Sequence, residues 1–101
     1  MIYAVYVRRL AERDALEAQA WYEAQKSGLG ASFNHEFGQA LLRLEHTPLV
    51  YQKIHGPIRR IVLHRFPYLL WYVVEDAAVI VLACTHGKRS RAFVRSRLRQ
   101  G

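Results

Sequence analysis

The most restrictive feature of the sequence is a pair of adjacent segments that both carry the apolar spacing of an amphipathic helix. The first runs from about residue 10 to residue 26, with apolar or aromatic residues at steps of three or four: Ala11, Ala15, Ala18 and Tyr22. The second repeats this spacing between Phe33 and Leu44. Only a short glycine-containing stretch separates the two segments, so the sequence predicts an antiparallel helical hairpin.

Segments typical of β-strands lie on both sides of the hairpin. Residues 2–7 form a β-branched and aromatic run with apolar side chains on both faces, so we expect a first strand inside the sheet or covered on both sides. Residues 48–57 contain prolines and a glycine and indicate a loop crossing. Three further strands follow, separated by tight turns, at residues 58–65, 68–74 and 78–86. They predict an antiparallel meander.

The order β-α-α-β-β-β predicts an α+β fold in which the N-terminal helical hairpin packs on one face of an antiparallel β-sheet. The basic tail Arg89–Arg99 is compatible with a short C-terminal helix. With 101 residues, of which 51% are hydrophobic, the chain is expected to form a single domain over residues 1–101.

The positive charge is concentrated in the second half of the chain. The formal net charge is +7, yet residues 1–51 contain five basic and six acidic side chains, whereas residues 52–101 contain ten basic and two acidic ones. This asymmetry favours an acidic partner, either nucleic acid or an acidic protein segment. A solvated basic face that only aids solubility is the alternative.

Several classes of protein are not expected. The one cysteine, Cys84, excludes an internal disulfide and a thiolate zinc cluster, and its position in a strand predicts a small core residue. No apolar run is long enough to span a membrane, and the first residues carry their charge after the apolar run, the reverse of a signal peptide. The histidines lack the spacing of a metal site. We therefore expect a cytoplasmic protein with no metal, no cofactor and no membrane partner.

Several short motifs occur in a fixed order along the chain: Ala11-x-x-Asp14 after the first strand, Trp21-Tyr22-Glu23, Gly28-Leu29-Gly30-x-x-Phe33, Pro48, Ile58-Arg59-Arg60, Phe66-Pro67-Tyr68-x-x-x-Tyr72 and His86-x-x-Arg89. In this order they resemble the RelE and ParE toxin superfamily, the toxic halves of bacterial toxin–antitoxin operons often called plasmid stabilisation proteins. The resemblance covers nearly the whole chain. It implies a growth-inhibiting toxin of a type II system that a cognate antitoxin neutralises.

The resemblance implies two alternative modes of action. ParE-like members are described as DNA gyrase inhibitors, and RelE-like members as ribosome-dependent mRNA endonucleases that use basic residues on the second and third strands, an arginine after the last strand and a tyrosine in the tail. Arg60 and Arg89 match basic positions of the nuclease pattern, but Val62 and Leu69 replace other cations and Arg95 replaces the tyrosine. The incomplete pattern favours a ParE-like toxin without a complete catalytic site.

Three residues remain candidates for catalysis if the protein is RelE-like. His86 could act as an acid or base near neutral pH, with Arg60 and Arg89 binding a phosphate; its alternative role is to cap or pack at the strand end. The target in that case is the ribosome and its mRNA. A nucleic-acid-binding module without toxicity is a third, weaker alternative.

Binding surfaces are predicted on the first helix and among the basic residues of the second half of the chain. Trp21 and Tyr22 point about 100° apart on a helix, so one of them should be exposed and could contact the antitoxin. The antitoxin is expected to supply an acidic, partly disordered segment and to form a hetero-oligomer with the toxin. We expect the tail to dock through Phe93 alone. The predicted target-binding residues are all basic: Arg59, Arg60, Arg65, Lys88, Arg89, Arg91, Arg95 and Arg99.

Overall fold

The computed structural model describes residues 1–100; Gly101, the last residue of the predicted domain 1–101, lies outside the described residues. Within residues 1–100, no helix is long and apolar enough to cross a membrane. The elements are β1 (Ala4–Val7), α1 (Arg9–Gln25), α2 (Leu29–His46), a 3₁₀ turn (Pro48–Val50), β2 (Lys53–His55), β3 (Ile58–Val62), β4 (Tyr68–Glu75), β5 (Ala78–His86) and α3 (Arg91–Arg99). The predicted α+β fold is confirmed, with the short strand β2 added in the predicted loop.

The hairpin turn between α1 and α2 is closed by Glu23. Its carboxylate accepts hydrogen bonds from the backbone N–H groups of Gly28, at 3.1 Å, and Gly30, at 2.9 Å. Gly28 has φ +93°, a left-handed conformation that favours glycine. At Gly30, a Cβ atom would lie 3.0 Å from the backbone oxygen of Gln19. Gly28 therefore allows the turn, and Gly30 allows the close approach of α2 to α1.

The sheet has the strand order β1-β5-β4-β3-β2. β1 runs parallel to β5, with Val5 opposite Val79, and the other neighbouring strands are antiparallel. The sheet is therefore mixed, and the predicted antiparallel arrangement holds for β2 to β5. The expectation that the first strand lies inside the sheet or is covered on both sides is wrong, because β1 is an edge strand. Val5 and Val7 pack against the core, whereas Tyr6 is 60% exposed. An apolar side chain on an edge strand can stay in solvent at little cost.

The two faces of the sheet carry separate cores. The larger core lies between the hairpin and the face of the sheet that α1 and α2 cover, which we call the hairpin face. Its buried residues include Phe33 and Leu44 of α2 and Leu70, Tyr72 and Val81 of the sheet. The tail face carries a smaller cluster of Trp71, Ala83 and Val94, which α3 covers. The expectation that the tail docks through Phe93 alone is wrong. Val94, the next residue, is the buried anchor, and Phe93 and Leu98 pack around this cluster.

A β-bulge in β5 lets one strand serve both cores. Trp71 lies opposite Ala83 and Tyr72 lies opposite Val81, so Leu82 is an extra residue between the two pairs. Before the bulge, Val81 faces the hairpin; after it, Cys84 does, while Ala83 faces the tail. The bulge therefore shifts the alternation of side chains by one residue, just before the strand reaches His86.

Candidate functional site in a basic cleft

A cleft of about 490 Å³ opens between the tail face of the sheet, the turn after β5 and the helix α3. Six basic or imidazole side chains line it, and together they define the basic cleft: His55, Arg60, His86, Arg89, Arg91 and Arg95. They come from β2, β3, the end of β5, the following turn and α3. No carboxylate of the described residues is among the lining groups. This arrangement suits an anionic ligand.

The floor of the basic cleft is the indole of Trp71. The side chain is 3% exposed, and its Nε1–H donates a hydrogen bond of 2.9 Å to the hydroxyl of the buried Thr85. The Arg60 guanidinium lies 5.5 Å from the centroid of the indole ring, and the His55 ring stacks on it at 5.7 Å. Cation–π attraction and stacking therefore hold both groups against a fixed surface. The sequence predicts only a surface or packing role for His55, and it does not place the residue at this site because residues 48–57 indicate a loop where β2 lies.

The turn after β5 forms the rim of the basic cleft. His86 Nδ1 accepts a hydrogen bond of 3.0 Å from the backbone N–H of Lys88, and the His86 ring packs edge-on against Tyr68, with centroids 5.2 Å apart. An imidazole that accepts at Nδ1 carries its proton at Nε2 when neutral. His86 thus makes the turn and packing contacts expected of a structural histidine. Its Nε2 atom takes no part in the hydrogen bond with Lys88.

The helix α3 places its cations in the basic cleft. Ser90 caps the helix by accepting a hydrogen bond of 3.1 Å from the backbone N–H of Phe93. Arg91 and Arg95, one turn apart, then line the cleft, and the Arg89 guanidinium lies 4.3 Å from the centroid of the Phe93 ring. Arg99 lies outside the cleft, in a neighbouring hollow beside His55.

The remaining predicted target-binding residues lie elsewhere. Arg59 is on the opposite face from Arg60, where its guanidinium donates to the backbone oxygens of Tyr51, at 2.6 Å, and Leu49, at 3.2 Å. It therefore secures the 3₁₀ turn and the residues after it. Arg65 is exposed in the β3–β4 turn with φ +69°, and Lys88 is exposed in the turn after β5. Neither side chain lines the basic cleft.

A second hollow, of about 320 Å³, lies between α1, α3 and the end of β5, and we call it the Trp21 groove. Trp21 is 57% exposed, whereas Tyr22 packs inward, with ring centroids 4.8 Å from Phe66 and 5.7 Å from Phe33. Trp21 is therefore available to a partner, and Tyr22 stabilises the core beneath it. His86 and Arg89 line both the groove and the basic cleft.

Beside the Trp21 groove, Asp14 connects α1 to α3 and to β5. Its carboxylate forms an ion pair with Arg97 and accepts a hydrogen bond of 3.0 Å from the backbone N–H of Cys84. Burial, followed by repulsion from Arg13 and Arg8, lowers the pKa of Arg97. The Cys84 side chain itself is buried, and burial raises its thiol pKa to about 12. Such a thiol is a core residue and not a nucleophile.

Comparisons with known proteins identify the family. The family model described as "ParE toxin of type II toxin-antitoxin system, parDE" matches residues 5–91. The fold is similar to a chain of the chromosomal ParDE toxin–antitoxin system from P. aeruginosa, with a TM-score of 0.75, 12% identity and coverage of 84% of this chain and 96% of that one. It is also similar to the isolated E. coli RelE toxin, with a TM-score of 0.62, 17% identity and coverage of 93% and 94%.

No curated protein sequence matches the chain. At these identities the two solved structures establish a shared fold and not a shared activity. The family model is the stronger finding, because it covers both helices of the hairpin, every strand except the first residue of β1, and the first residue of α3. The chain therefore belongs to the ParE toxin family of type II toxin–antitoxin systems.

Proposed function

We propose that the protein inhibits growth by binding DNA gyrase through its basic cleft, and that a cognate antitoxin neutralises it by covering this cleft with an acidic segment. Membership of the family implies an antitoxin partner. One observation carries the proposal. Among residues 1–100 the only ion pair is Asp14–Arg97, so the four arginines of the cleft have no carboxylate partner within the described chain. An external anionic group would relieve their mutual repulsion.

Binding fits the basic cleft better than catalysis does. Cleavage of RNA by attack of a 2′-hydroxyl needs a base, an acid for the leaving oxygen and cations around the phosphate. The cleft supplies the cations. Apolar residues stand at two positions where further cations are expected from the nuclease pattern, since Val62 is 52% exposed on β3 and Leu69 lines the cleft. No tyrosine follows Tyr72 in the sequence.

The order of events after induction tests this proposal. We would express the toxin in a bacterium and follow plasmid topoisomers, DNA breaks and mRNA integrity over time. Loss of supercoiling or DNA breaks should precede any loss of mRNA, and purified protein should inhibit supercoiling by purified gyrase. Cleavage of mRNA before any change in DNA topology would contradict gyrase as the target.

A second candidate function is ribosome-dependent cleavage of mRNA, as in RelE-like toxins. The observation that favours it is that Arg60, His86 and Arg89, from separate elements, all line one cleft. The variant His86→Asn separates the candidates, because its amide oxygen can still accept the Lys88 N–H bond while the acid–base group is lost. Under the gyrase proposal, this variant keeps all four arginines of the cleft and should lose at most a small part of its toxicity, and the wild-type protein should leave mRNA intact both in free solution and on ribosomes. Cleavage of mRNA on ribosomes that this variant abolishes would favour the nuclease.

The antitoxin should bind with submicromolar affinity and associate more slowly at high salt. Complementary charge speeds encounter, while the ordering of a flexible segment opposes affinity. Free expression of the toxin without an antitoxin and without an effect on growth would contradict the proposal.

A further inference from the structure

The two edges of the sheet differ in how they are protected. At one edge, β2 includes the exposed Lys53 and pairs with β3 in an irregular register. A lysine and irregular pairing are features that keep an edge strand from joining another chain. At the other edge, β1 has neither, because Ala4–Val7 contains no charged residue and pairs with β5 in one continuous register. Within residues 1–100, no strand lies on the outer side of β1.

The outer side of β1 presents the backbone groups of Val5 and Val7. The N–H groups of Ala4 and Arg8 donate towards β5, to backbone oxygens of the preceding turn and of the strand itself, at 3.1 and 3.0 Å. Because the backbone groups of successive residues in a strand point to opposite sides, those of Val5 and Val7 point away from β5. The open edge therefore offers a donor and an acceptor at each of two alternate residues.

This spacing complements a second copy of the same strand. If two β1 edges pair antiparallel around a two-fold axis at Tyr6, Val5 of one copy lies opposite Val7 of the other. Each such pair exchanges two hydrogen bonds, so the pairing uses every outward donor and acceptor of both residues. Tyr6 then lies opposite Tyr6 of the second copy.

The side chain of Tyr6 suits this central position. Val5 and Val7 pack against the core of the hairpin face, so Tyr6 projects from the other face of the sheet, where it is 60% exposed. Opposite residues of two paired strands have Cβ atoms about 4.5–5.5 Å apart, and an aromatic pair at this distance stabilises the pairing. Association would therefore cover an exposed ring in each copy.

The charges at the two ends of β1 favour the antiparallel arrangement. The exposed Arg9 follows the C-terminal end of the strand. At the N-terminal end, the Tyr3 N–H donates to the backbone oxygen of Glu45, at 2.8 Å, and the exposed Glu75 and Asp76 belong to the turn before β5. Antiparallel pairing brings the basic end of each copy to the acidic end of the other.

The surroundings of β1 also favour a second copy over an acidic segment. Residues 1–51, which include β1, contain five basic and six acidic side chains, and no residue of β1 lines the basic cleft. Two copies that meet at this edge repel one another less than copies that meet through their clefts. An acidic segment would gain little at an edge without an excess of positive charge.

We propose that two copies of the chain associate through their β1 edges, antiparallel and centred on Tyr6, to form one continuous sheet. Both basic clefts stay open in this dimer, because β1 contributes nothing to their lining. The dimer does not depend on gyrase as the target.

Charge placed on the two-fold axis tests the dimer. Analytical ultracentrifugation of the purified toxin should show a dimer whose fraction rises with concentration. Tyr6→Lys should weaken the dimer at least about tenfold, because like charges then lie directly opposite each other. Leu16→Lys is the matched control, since Leu16 is an apolar residue of α1 that is 57% exposed, and it should leave the dimer unchanged. An equimolar mixture of Tyr6→Lys and Tyr6→Glu should restore association, which also shows that both variants fold.

A cysteine on the axis tests the register. Under mild oxidation, Tyr6→Cys should form a disulfide-linked dimer, because opposite Cβ atoms at this position come within reach of a disulfide. Leu16→Cys should stay unlinked under the same conditions. The native Cys84 is buried and does not compete.

Three results would overturn the proposal. One is a toxin that stays monomeric up to about 100 µM; if Tyr6→Lys then weakens only the antitoxin complex, the edge belongs to the antitoxin. The second is a dimer that Tyr6→Lys and Leu16→Lys weaken equally. The third is a dimer in which Tyr6→Cys does not crosslink. None of these measurements requires gyrase or growth inhibition, so the proposed target can fail while the dimer stands, and the reverse.

Discussion

Asp14 of α1 and Arg97 of α3 form an ion pair that joins elements near the two ends of the sequence. The same carboxylate accepts the backbone N–H of Cys84 in β5, at 3.0 Å. One side chain therefore fastens the C-terminal helix to both the hairpin and the sheet. The motif Ala11-x-x-Asp14 thus combines a buried alanine against the sheet with an acid one turn later that reaches α3.

Replacing Asp14 by Asn should loosen α3. The ion pair is lost and Arg97, whose side chain is 18% exposed, keeps its charge without a partner, so the free energy of unfolding should fall by about 2 kcal/mol. Urea unfolding measures the loss, and amide hydrogen exchange should quicken in α3. Arg99→Gln is the matched control in the same helix and should stay within about 0.5 kcal/mol. Unchanged exchange in α3 would show that the apolar contacts of Val94, Phe93 and Leu98 are enough to fix the helix.

Removing the cations of α3 should separate stability from toxicity. Replacing Arg91, Arg95 and Arg99 by Gln should leave the fold intact or slightly more stable, because like charges repel one another, while toxicity and the salt dependence of target binding fall sharply. Growth assays at equal expression and thermal unfolding measure the two effects. A control with the same loss of charge replaces the exposed Arg9, Lys26 and Lys53. If both triple variants lose toxicity to the same extent, the loss results from the lower net charge and not from the position of these arginines.

Replacing Thr85 by Val should disturb the floor of the basic cleft. The buried Nε1–H of Trp71 would lose its acceptor, at a cost of about 1–3 kcal/mol in the free energy of unfolding. Thr85→Ser keeps the hydroxyl and should retain most of the stability. Chemical denaturation measures both variants. A loss in Thr85→Val no larger than the loss in Thr85→Ser would contradict a dominant contribution of the hydrogen bond, because Thr85→Ser removes only the methyl group.

Stability should fall steeply in alkali. Burial raises the pKa of Cys84 to about 12 from 9.0 and that of Tyr72 to about 12 from 10.0. In both cases the folded state favours the neutral form, so this stability is present below about pH 9 and is lost as the pH rises towards 12. Each group contributes a slope of about 1.4 kcal/mol per pH unit in its range. In Cys84→Ala, the decline between pH 9 and 10 should be much shallower than in the wild type; an identical decline would contradict the assignment to the thiol.

Patterns that are local in sequence predicted much of this structure. The spacing of Ala11, Ala15 and Ala18 predicted the buried face of α1, because helical geometry alone determines which residues share a face. The same geometry predicted that Trp21 and Tyr22 could not both be buried. The cluster of Arg89, Arg91 and Arg95 at one cleft also follows from their closeness in sequence.

Features that depend on pairing between distant segments could not be predicted. The edge position of β1 and the strand β2 with His55 depend on which strands meet. The bulge at Leu82 leaves no local sequence signal, since every neighbouring residue is apolar in either register. Arg59 and Arg60 look equivalent in sequence, yet the alternation of a strand places them on opposite faces. Their roles could be separated only once β3 had been located in the sheet.

The parallel pairing of β1 with β5 has a consequence for the synthesis of the protein. The first strand to leave the ribosome has no partner until residues 78–81 have been made, whereas the hairpin between them can form from local contacts. The nascent chain thus carries β1 unpaired until β5 has been synthesised. The helix α3, which follows β5 in the sequence, supplies both Arg95 of the cleft and the Arg97 that pairs with Asp14 of α1. The basic cleft can therefore be completed only after every strand of the sheet has been synthesised.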